Sequence, residues 1–260
     1  MISSIKLLVD MKEELARKTV EKVRDDYDAI AGSFSDTRTR PWPEMSRLRE
    51  LLVDGDRVLD VGCGNGRAYA LLRGETFDYV GVDNSAELVR LARERYPDLL
   101  AEWRVGSILE LPFEGGDFDV VAAFAVLHHI PSRAFRLKAL AEAYRVLRPG
   151  GQFMMTNWNL GQTRFWRLRL QAFLRRLAGS GYDAGDVLVP WRRGPRSVDR
   201  YCHAFTRREL AGLCREVGFE VTENGYSKPG WLGFLKSGNL VTICRRPEAE
   251  LEPVSASGLE

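Results

Sequence analysis

The sequence has no apolar run long enough to cross a bilayer, for which about 18 residues or more are needed. Its beginning, MISSIKLLVDMKEELARK, holds one short apolar segment that acidic residues follow at once. A secretory signal peptide has a longer apolar region, followed by a cleavage site of small residues. We therefore expect a cytoplasmic protein with no membrane partner.

Cysteine and histidine are also scarce. The four cysteines stand far apart with no C-x-x-C pair, and two of the three histidines are adjacent. Disulfide frameworks and zinc sites use these residues at closer, repeated spacings. The composition therefore predicts neither kind of site, and we expect no metal.

Lysine is absent from a long basic stretch, Arg164 to Arg215, which holds twelve arginines and four acids and so carries a net charge of +8. The whole chain of 260 residues has a net charge of only +2, so the remainder carries −6. Local basicity of this kind is typical of a surface that binds a polyanion such as nucleic acid. A solvated, arginine-rich helix face is the alternative that charge alone leaves open.

Short apolar strands alternate with helices through the middle of the chain. A helix is predicted over residues 10–31, ended by Gly32, and another over 44–53. Five strands follow, separated by helices or turns: RVLDVG, DYVGVD, AEWRVGS, Asp119 to Ala125 and QFMMTNW. The first intervening helix is expected from Gly66 onward, and the second has Ser85 as its predicted N-cap. This alternation predicts right-handed βαβ units and an α/β protein built on a parallel sheet.

Residues 160–200 interrupt that alternation, which indicates an insertion. FWRLRLQAFLRRL is predicted to be a helix and GSGYDAGDVLVPWRRGPRS a loop. Regular structure then resumes with a helix capped by Thr206 and with strands at FEVTENG and NLVTICRR. The segment 247–260 has no apolar periodicity and is expected to be disordered.

Three glycines stand at alternate positions after the first strand, in RVLDVGCGNGRAY. Glycine lets a backbone turn tightly and approach a ligand closely. The dinucleotide fingerprint G-x-G-x-x-G would need a glycine where Arg67 stands, so this spacing does not match it. We expect Gly62, Gly64 and Gly66 to border a different nucleotide-like ligand.

Two acids flank these glycines. Asp60 precedes them, where a carboxylate would repel a pyrophosphate but suits a ligand with an amino group. Asp83 ends the second strand and can accept hydrogen bonds from ribose hydroxyls. An amino group and a ribose together describe S-adenosylmethionine (SAM). The pattern LDVGCGNG…GVD resembles motifs I and II of the class I methyltransferases.

That resemblance implies a Rossmann-like α/β fold: a mostly parallel seven-stranded sheet with helices on both faces and an antiparallel last strand. It also implies an adenine site after the third strand. Ser107 stands there in place of the family's usual Asp, and Ile108 would pack on the adenine face. Asn84, which follows the second strand, and Ala125, which ends the fourth, complete the expected cofactor set from the core.

The core alone leaves the methyl acceptor open. AVLHHI follows the fourth strand, where an amino-methylase would be expected to have an Asn/Asp-Pro-Pro-aromatic stretch, and no Pro-Cys nucleophile is present. Three hypotheses remain. They are a tRNA-modifying enzyme, an O-methyltransferase of a small carboxylic acid or quinone-like metabolite, and a non-catalytic SAM-binding protein.

Blocks outside the core favour the first hypothesis. YDAIAGSFSDTRTRPWP, AVLHHI, DVLVPW, RYCHAFTRRELAGLCR and GNLVTI occur in this order between about residues 20 and 246. Together they resemble the tRNA wobble-uridine carboxymethyl methyltransferases, which comprise yeast-type stand-alone enzymes and the methyltransferase domain of an animal AlkB homologue. The resemblance implies esterification of a 5-carboxymethyluridine-type nucleoside in tRNA, with S-adenosylhomocysteine as by-product and no metal. The implied partners are the tRNA anticodon arm and a small zinc-binding activator protein.

The resemblance also implies residues that act near the reacting groups. Arg200 and His203 are expected to grip the substrate carboxylate or an adjacent phosphate, because a planar guanidinium suits both anions. His128 is expected to touch the substrate. A carboxylate is already ionised at neutral pH, so methyl transfer to it needs no general base.

The flanking segments complete the expected site. Tyr27, Arg38 and Trp42 would cover the cofactor, with Arg38 on its carboxylate and Tyr27 over its sulfonium. The expected substrate-binding residues are two stacking tryptophans, one tyrosine and three arginines for the tRNA backbone: Trp158, Trp191, Tyr201, Arg192, Arg193 and Arg196. The family usually has a tyrosine where Cys202 stands, so no hydroxyl is expected there.

These expectations divide the chain into three parts. Residues 1–43 form an N-terminal helix and cofactor lid. Residues 44–246 form the methyltransferase domain, with an arginine-rich substrate-binding insertion at about 160–205. Residues 247–260 form a disordered tail.

Overall fold

The computed structural model describes residues 11–97, 100–228 and 238–248. The helices within them are α1 (Glu13–Asp36), α2 (Tyr69–Leu72), α3 (Ala86–Arg95), α4 (Arg133–Val146), α5 (Trp166–Leu177) and α6 (Arg207–Val217). Segments of 3₁₀ helix lie at Pro43–Leu51, Leu127–His129 and Thr163–Phe165. Among the helices described, none is both long and apolar enough to span a membrane.

The strands are β1 (Arg57–Val61), β2 (Asp78–Asp83), β3 (Ala101–Val105), β4 (Phe118–Phe124), β5 (Leu147–Trp158), β6 (Asp186–Trp191), β7 (Val198–His203), β8 (Glu220–Tyr226) and β9 (Asn239–Arg245). Seven of them form one sheet in the order β3-β2-β1-β4-β5-β9-β8. Strands β1 to β5 run parallel, and β9 lies antiparallel between β5 and β8. The predicted fold class is therefore confirmed.

The sheet is buried on both faces, which explains why its central strands are almost wholly apolar. Leu59 of β1 packs into a core shared with α4 and α6, whereas its neighbour Val58 packs on the other face with α3. The predicted N-caps are confirmed. The Ser85 hydroxyl accepts from Leu88 N–H at 3.2 Å, and the Thr206 hydroxyl accepts from a backbone N–H of α6.

Two predicted helix ends are wrong. Helix α1 does not stop at Gly32 but continues to Asp36. A glycine inside a helix costs only about 1 kcal/mol relative to alanine, which the packing of α1 on the rest of the fold outweighs. The helix expected from Gly66 begins only at Tyr69, because residues 64–68 form a turn.

The segment expected to be a loop contains a β-hairpin, so that prediction is also wrong. Strands β6 and β7 pair antiparallel, with Trp191 opposite Val198. Val187, Val189 and Trp191 are buried in the period-two pattern of a strand, and Pro190 between them is exposed. Proline is tolerated in this strand because a two-stranded sheet consists only of edges. The hairpin is held between α1 on one face and α5 on the other.

Candidate active site

A large cavity opens at the carboxyl ends of β1, β2 and β4, the edge where open α/β sheets bind ligands. Its space, including the part open to solvent, is about 1110 Å³, and it is bordered by α1 and the irregular segment that follows it. Eleven of the twelve residues predicted to bind the cofactor line it: Tyr27, Arg38, Trp42, Asp60, Gly62, Gly64, Asp83, Asn84, Ser107, Ile108 and Ala125.

Gly66 is the exception, and the structure gives it a different role. A Cβ at Gly66 would lie 2.7 Å from the Trp103 ring and 2.9 Å from the Tyr96 ring. This glycine therefore allows two aromatic rings to pack against the loop. Its assignment to the cofactor is corrected on that ground, since the spacing of the glycines could not show which of them faces the cavity.

Gly62 and Gly64 determine the shape of the loop after β1. Their φ angles of 72° and 57° lie in the left-handed region that favours glycine. A Cβ on Gly62 would lie 2.3 Å from Cγ2 of Val126, so a side chain does not fit there. At Gly64, no atom of the described residues lies within 4 Å of the corresponding position. A ligand in the cavity can therefore approach the backbone of Gly64 closely.

Asp60 brings a buried carboxylate to the cavity wall. Its Oδ2 accepts a 2.6 Å hydrogen bond from the Tyr79 hydroxyl, while its buried Oδ1 has no hydrogen-bond partner among the described residues. Burial raises the pKa of this carboxyl to about 7. Because an unsatisfied buried acceptor is costly, the site fits a ligand that brings an N–H donor, such as the ammonium group of SAM.

Asp83 presents a second carboxylate at the end of β2. The backbone N–H groups of Gly64 and Ser85 donate to its two oxygens at 2.9 and 2.8 Å, and burial raises its pKa to about 6. Each oxygen keeps a lone pair for a ribose hydroxyl. Ser107 and Ile108 line the cavity after β3, the strand beside β2. The residues present therefore fit SAM from its ammonium group to its adenine.

The N-terminal segment contributes cationic and aromatic side chains to the same cavity. The Arg38 guanidinium lies 5.0 Å from the ring centre of Phe34. Arg67, which sequence reasoning did not assign, also lines the cavity, and its guanidinium lies 4.0 Å from the ring centre of Trp42. Burial lowers the pKa of Arg67 to about 10. The only signal for Arg67 in the sequence was its position directly after the glycines.

Arg200 of β7 lies beside the cavity between two tryptophans. Its Cζ atom is 4.9 Å from the ring centre of Trp158 and 5.0 Å from that of Trp191, and the residue is 4% exposed. Its Nε and Nη1 atoms have no hydrogen-bond partner in the described part of the chain. A buried guanidinium with free N–H groups is suited to bind a planar anion such as a carboxylate. Trp158 lines the cavity and Arg200 lies directly against its ring, so the structure brings these two predicted residues together.

Of the two adjacent histidines, His129 rather than His128 lines the cavity. The His129 ring is hydrogen-bonded to the Tyr27 hydroxyl through Nε2 at 2.8 Å and to the Tyr201 carbonyl oxygen through Nδ1 at 2.7 Å. His128 is fully buried, and its backbone N–H donates to the Asn157 side chain. The structure therefore places His128 behind Trp158 rather than at the cavity, and its substrate contact stays a prediction. The two rings lie side by side, with centres 4.3 Å apart, and both contact Trp158, but only His129 borders the cavity, which neighbouring positions in a sequence cannot reveal.

The alternation of side chains along β7 separates Arg200 from the other residues predicted there. The Tyr201 hydroxyl donates to Asp186 Oδ1 at 2.7 Å. The His203 ring is bonded to that same oxygen at 2.7 Å and to Glu209 at 2.9 Å. Both side chains are buried in this network and do not line the cavity, so the structure does not bring them to the acceptor site, and their substrate contacts stay a prediction.

Trp191 is placed beside Arg200 but is not available to stack on a base. It is 6% exposed, and its indole N–H donates to Ser33 Oγ at 3.2 Å and to the Arg193 carbonyl oxygen at 3.0 Å. Its ring forms one wall of the Arg200 site. The predicted stacking of Trp191 on a flipped base is therefore replaced by stacking on the guanidinium.

The three arginines assigned to the tRNA backbone lie exposed at the turn between β6 and β7. Arg192 is paired with Asp199 at 2.6 Å, so its charge is partly neutralised. Arg193 and Arg196 form no salt bridge among the described residues. The turn therefore presents positive charge to solvent, mainly from these two residues.

Among the described residues, one group of three side chains has potential metal-binding atoms close enough together to hold an ion. The ligating atoms of His128, His129 and Cys202 lie within 4.8 Å of one another. Both ring nitrogens of His129 are already hydrogen-bonded, to Tyr27 and to the Tyr201 carbonyl. An ion would have to break those bonds, so we assign no metal to this group.

Comparison with known proteins agrees with this geometry. Residues 59–155 match the family model described as a methyltransferase domain. A tRNA (carboxymethyluridine(34)-5-O)-methyltransferase of Schizosaccharomyces pombe is 30% identical over 81% of this chain and 94% of its own length. The tRNA (carboxymethyluridine(34)-5-O)-methyltransferase alkbh8 of Xenopus tropicalis is 29% identical over 84% of this chain. The chain spans only 41% of the length of that second relative.

Among solved structures, a methyltransferase of Haloferax volcanii in complex with the Trm112 methyltransferase activator has a similar fold. Its TM-score is 0.64 at 21% identity, and the match covers 88% of this chain and 100% of that one. The fold is thus that of a methyltransferase, and the match to the fission-yeast enzyme extends over most of both sequences. The chain belongs to the tRNA (carboxymethyluridine(34)-5-O)-methyltransferase family.

Proposed function

We propose that this chain transfers the methyl group of SAM to the carboxylate of a 5-carboxymethyluridine-type nucleoside at the wobble position of tRNA. The products are the methyl ester and S-adenosylhomocysteine. Family membership supports the substrate class. The observation that carries the proposal is Arg200, a buried guanidinium with free N–H groups beside a cavity that fits SAM.

The chemistry needs alignment rather than a base. Bound SAM supplies a methyl group that its sulfonium already activates. The acceptor carboxylate is ionised at neutral pH, which agrees with a site whose histidine is a poor base, since burial lowers the pKa of His129 to about 3. In this proposal Arg200 holds one carboxylate oxygen and leaves the other free to attack. Orientation of the reacting groups and exclusion of water then accelerate the methyl transfer.

The proposed partner is the anticodon arm of tRNA, bound through phosphates by exposed arginines. Arg193 and Arg196 stand at the hairpin turn, and α5 adds further arginines and no acid. The hairpin also carries Arg200, so a backbone bound at the turn would lie close to the acceptor site. Phosphate contacts of this kind fix the position of the tRNA without reading its sequence.

We further propose a small zinc-binding activator protein as partner and the cytoplasm as the place of reaction. The first is supported by the likeness to the Haloferax volcanii methyltransferase, whose structure contains the Trm112 activator.

We retain the division into a lid at 1–43, a methyltransferase domain at 44–246 and a substrate-binding insertion at about 160–205. The lid is supported by the cavity contacts of Tyr27, Arg38 and Trp42. The proposed tail begins at residue 247, and its residues 249–260 lie outside the described part of the chain.

The test uses the purified chain, labelled SAM and tRNA that carries carboxymethyluridine, with and without a Trm112-type activator. After digestion, the nucleoside methyl ester should carry the label. Transfer only to small carboxylic acids or quinone-like metabolites would replace the proposal with a metabolite methyltransferase. Binding of SAM without transfer to any acceptor, even with the activator, would indicate a non-catalytic SAM-binding protein.

A further inference from the structure

The groups around Tyr27 and His129 determine which of the two donates the proton in the hydrogen bond between them. Nδ1 of His129 lies 2.7 Å from the carbonyl oxygen of Tyr201, and a carbonyl oxygen can only accept. Nδ1 therefore carries a proton. The ring is neutral, because burial lowers its pKa to about 3, so Nε2 can only accept. The Tyr27 hydroxyl, 2.8 Å away, must donate its one proton to Nε2.

The oxygen of Tyr27 consequently offers only lone pairs to every other neighbour. Tyr27 lines the cavity, and one of these lone pairs is close enough to accept a hydrogen bond from the Arg200 guanidinium, while the Asp83 carboxylate acts on the phenol through its charge. Asp83 marks the ribose end of the SAM site, and Arg200 marks the end that the acceptor carboxylate would occupy. The place between them is where the sulfonium and its methyl group would lie.

Aromatic contacts hold the phenol in this orientation. The Tyr27 ring packs edge-to-face on Phe34, with ring centres 5.2 Å apart, and makes the same kind of contact with His129 at 5.2 Å. The Tyr201 carbonyl belongs to β7, so the hairpin that carries Arg200 also fixes which nitrogen of His129 is protonated. Through His129, the acceptor side of the site is linked to the lid helix α1.

We infer that His129 is a positioning residue that turns the Tyr27 proton away from the cavity, so that Tyr27 presents a lone pair to the sulfonium of SAM. This inference rests on the proposed function. With the opposite orientation, an O–H dipole would repel the sulfonium and would hydrogen-bond the attacking carboxylate, which weakens it as a nucleophile. The enforced orientation favours the cationic cofactor over the neutral product and leaves the carboxylate to Arg200.

The test measures charge preference by calorimetry with two cofactor analogues. Sinefungin carries a protonated amine in place of the methyl sulfonium, and S-adenosylhomocysteine is neutral there. His129→Phe keeps a ring without an acceptor, and Tyr27→Phe removes the hydroxyl. Each should lower the ratio of sinefungin affinity to S-adenosylhomocysteine affinity about five- to tenfold, the scale of one hydrogen bond to a charged group. The double variant should lower the ratio no further, and His129→Gln, whose side-chain oxygen can accept from Tyr27, should restore most of it.

One control variant separates positioning from loss of structure. Val146→Ala truncates a buried core residue of α4 that does not line the cavity, and it should leave the ratio at the wild-type value. An unchanged ratio in His129→Phe overturns the inference, and so does full additivity of His129→Phe with Tyr27→Phe. Failure of the wild-type chain to bind either analogue refutes the proposed SAM site itself and is distinguishable from both of these results.

Discussion

The Tyr79 hydroxyl donates a 2.6 Å hydrogen bond to Oδ2 of Asp60, whereas Oδ1 of the same buried carboxylate has no donor among the residues that the structure describes. Burial raises the pKa of Asp60 from its ordinary 3.8 to about 7. Between these two pH values the folded chain without cofactor retains a proton that the unfolded chain has released. The contribution of this carboxyl to stability therefore falls as pH rises from about 4 to 7. Burial disfavours the ionised form of Asp60 when no cofactor is bound. That ionised form is the one that can pair with an ammonium group.

Asp60→Asn should remove much of this pH dependence. Relative to the variant, we expect the wild-type chain to lose about 2–4 kcal/mol of unfolding free energy between pH 4 and 7. The buried neutral His129, whose pKa is about 3, changes stability in the opposite direction but does so equally in both chains. SAM affinity should rise with pH through about 7 in the wild type and be at least about tenfold weaker in the variant. Urea unfolding and calorimetry at several pH values measure both. The matched control is Asp54→Asn, an exposed carboxylate, and equal slopes in Asp60→Asn and the wild type would contradict the prediction.

Gly64→Val should block the cofactor by placing a side chain where the backbone meets the ligand. We expect SAM affinity to fall at least about tenfold, while the strain of a side chain at positive φ costs about 1–2 kcal/mol of stability. Gly74→Val is the control, because Gly74 has a φ of 89° and open surroundings within the described residues but does not line the cavity. It should lose similar stability and keep SAM affinity. Normal SAM binding by Gly64→Val in calorimetry would show that the loop does not hold the cofactor.

Arg200→Met should remove the hydrogen bonds to the acceptor carboxylate and leave the cofactor site intact. Single-turnover transfer to tRNA is expected to fall about 10- to 100-fold, the scale of lost hydrogen bonds to a charged group, and SAM affinity should change little. Stability should not fall by more than about 1 kcal/mol, because the variant removes a buried charge with unpaired N–H groups. A parallel loss of SAM affinity would instead place Arg200 on the cofactor.

The arginines of the hairpin turn should carry part of the salt dependence of tRNA binding. Changing Arg192, Arg193 and Arg196 to Ala should weaken binding and reduce the slope of log K against log salt by about two, because Asp199 already neutralises Arg192. Filter retention over a range of salt concentrations measures this. A control variant with the same charge change elsewhere, at Arg104, Arg148 and Arg245, should leave the slope nearer the wild-type value. An equal effect in both variants would indicate binding through net charge alone.

His203 should stabilise the fold rather than the substrate. Burial lowers its pKa, but hydrogen bonds to Asp186 and Glu209 outweigh burial, and the pKa lies above its ordinary value. The stabilisation is therefore complete below about pH 6.5 and is lost as pH rises through the folded-state pKa. His203→Gln should lower the free energy of unfolding by about 2 kcal/mol at acidic pH and by less at alkaline pH. SAM affinity in the same variant should stay at the wild-type value, and a selective loss of tRNA methylation would contradict the buried placement.

The cofactor half of the site was accessible from the sequence because local geometry determines it. Asp60, Gly62 and Gly64 follow one strand and Asp83 ends the next, and parallel strands bring their carboxyl ends to one edge. Spacing along the chain therefore predicts their proximity. Gly66 shows the limit of that argument, because its neighbours are aromatic rings from distant positions.

The acceptor half was predicted less well because it depends on orientation. His128 and His129 are adjacent, yet only His129 lines the cavity. In β7, the choice among Arg200, Tyr201 and His203 required knowing that the segment is a strand and which face meets the cavity. We predicted a loop there because a proline such as Pro190 usually indicates the end of a strand. In an exposed edge strand, however, proline is tolerated.

By itself, the sequence determined the order of strands and helices, the glycine turn with its two acids, and the resemblance that led to the family. Each of these depends on residues close together in the chain or on motifs in a known order. Only the tertiary structure decided that Arg200 lies between Trp158 and Trp191 with Nε and Nη1 unpaired among the described residues, and that the Tyr201 carbonyl fixes the proton on His129. Those relationships join elements distant in the chain, and their direction depends on side-chain packing and on which hydrogen-bond partners burial leaves available.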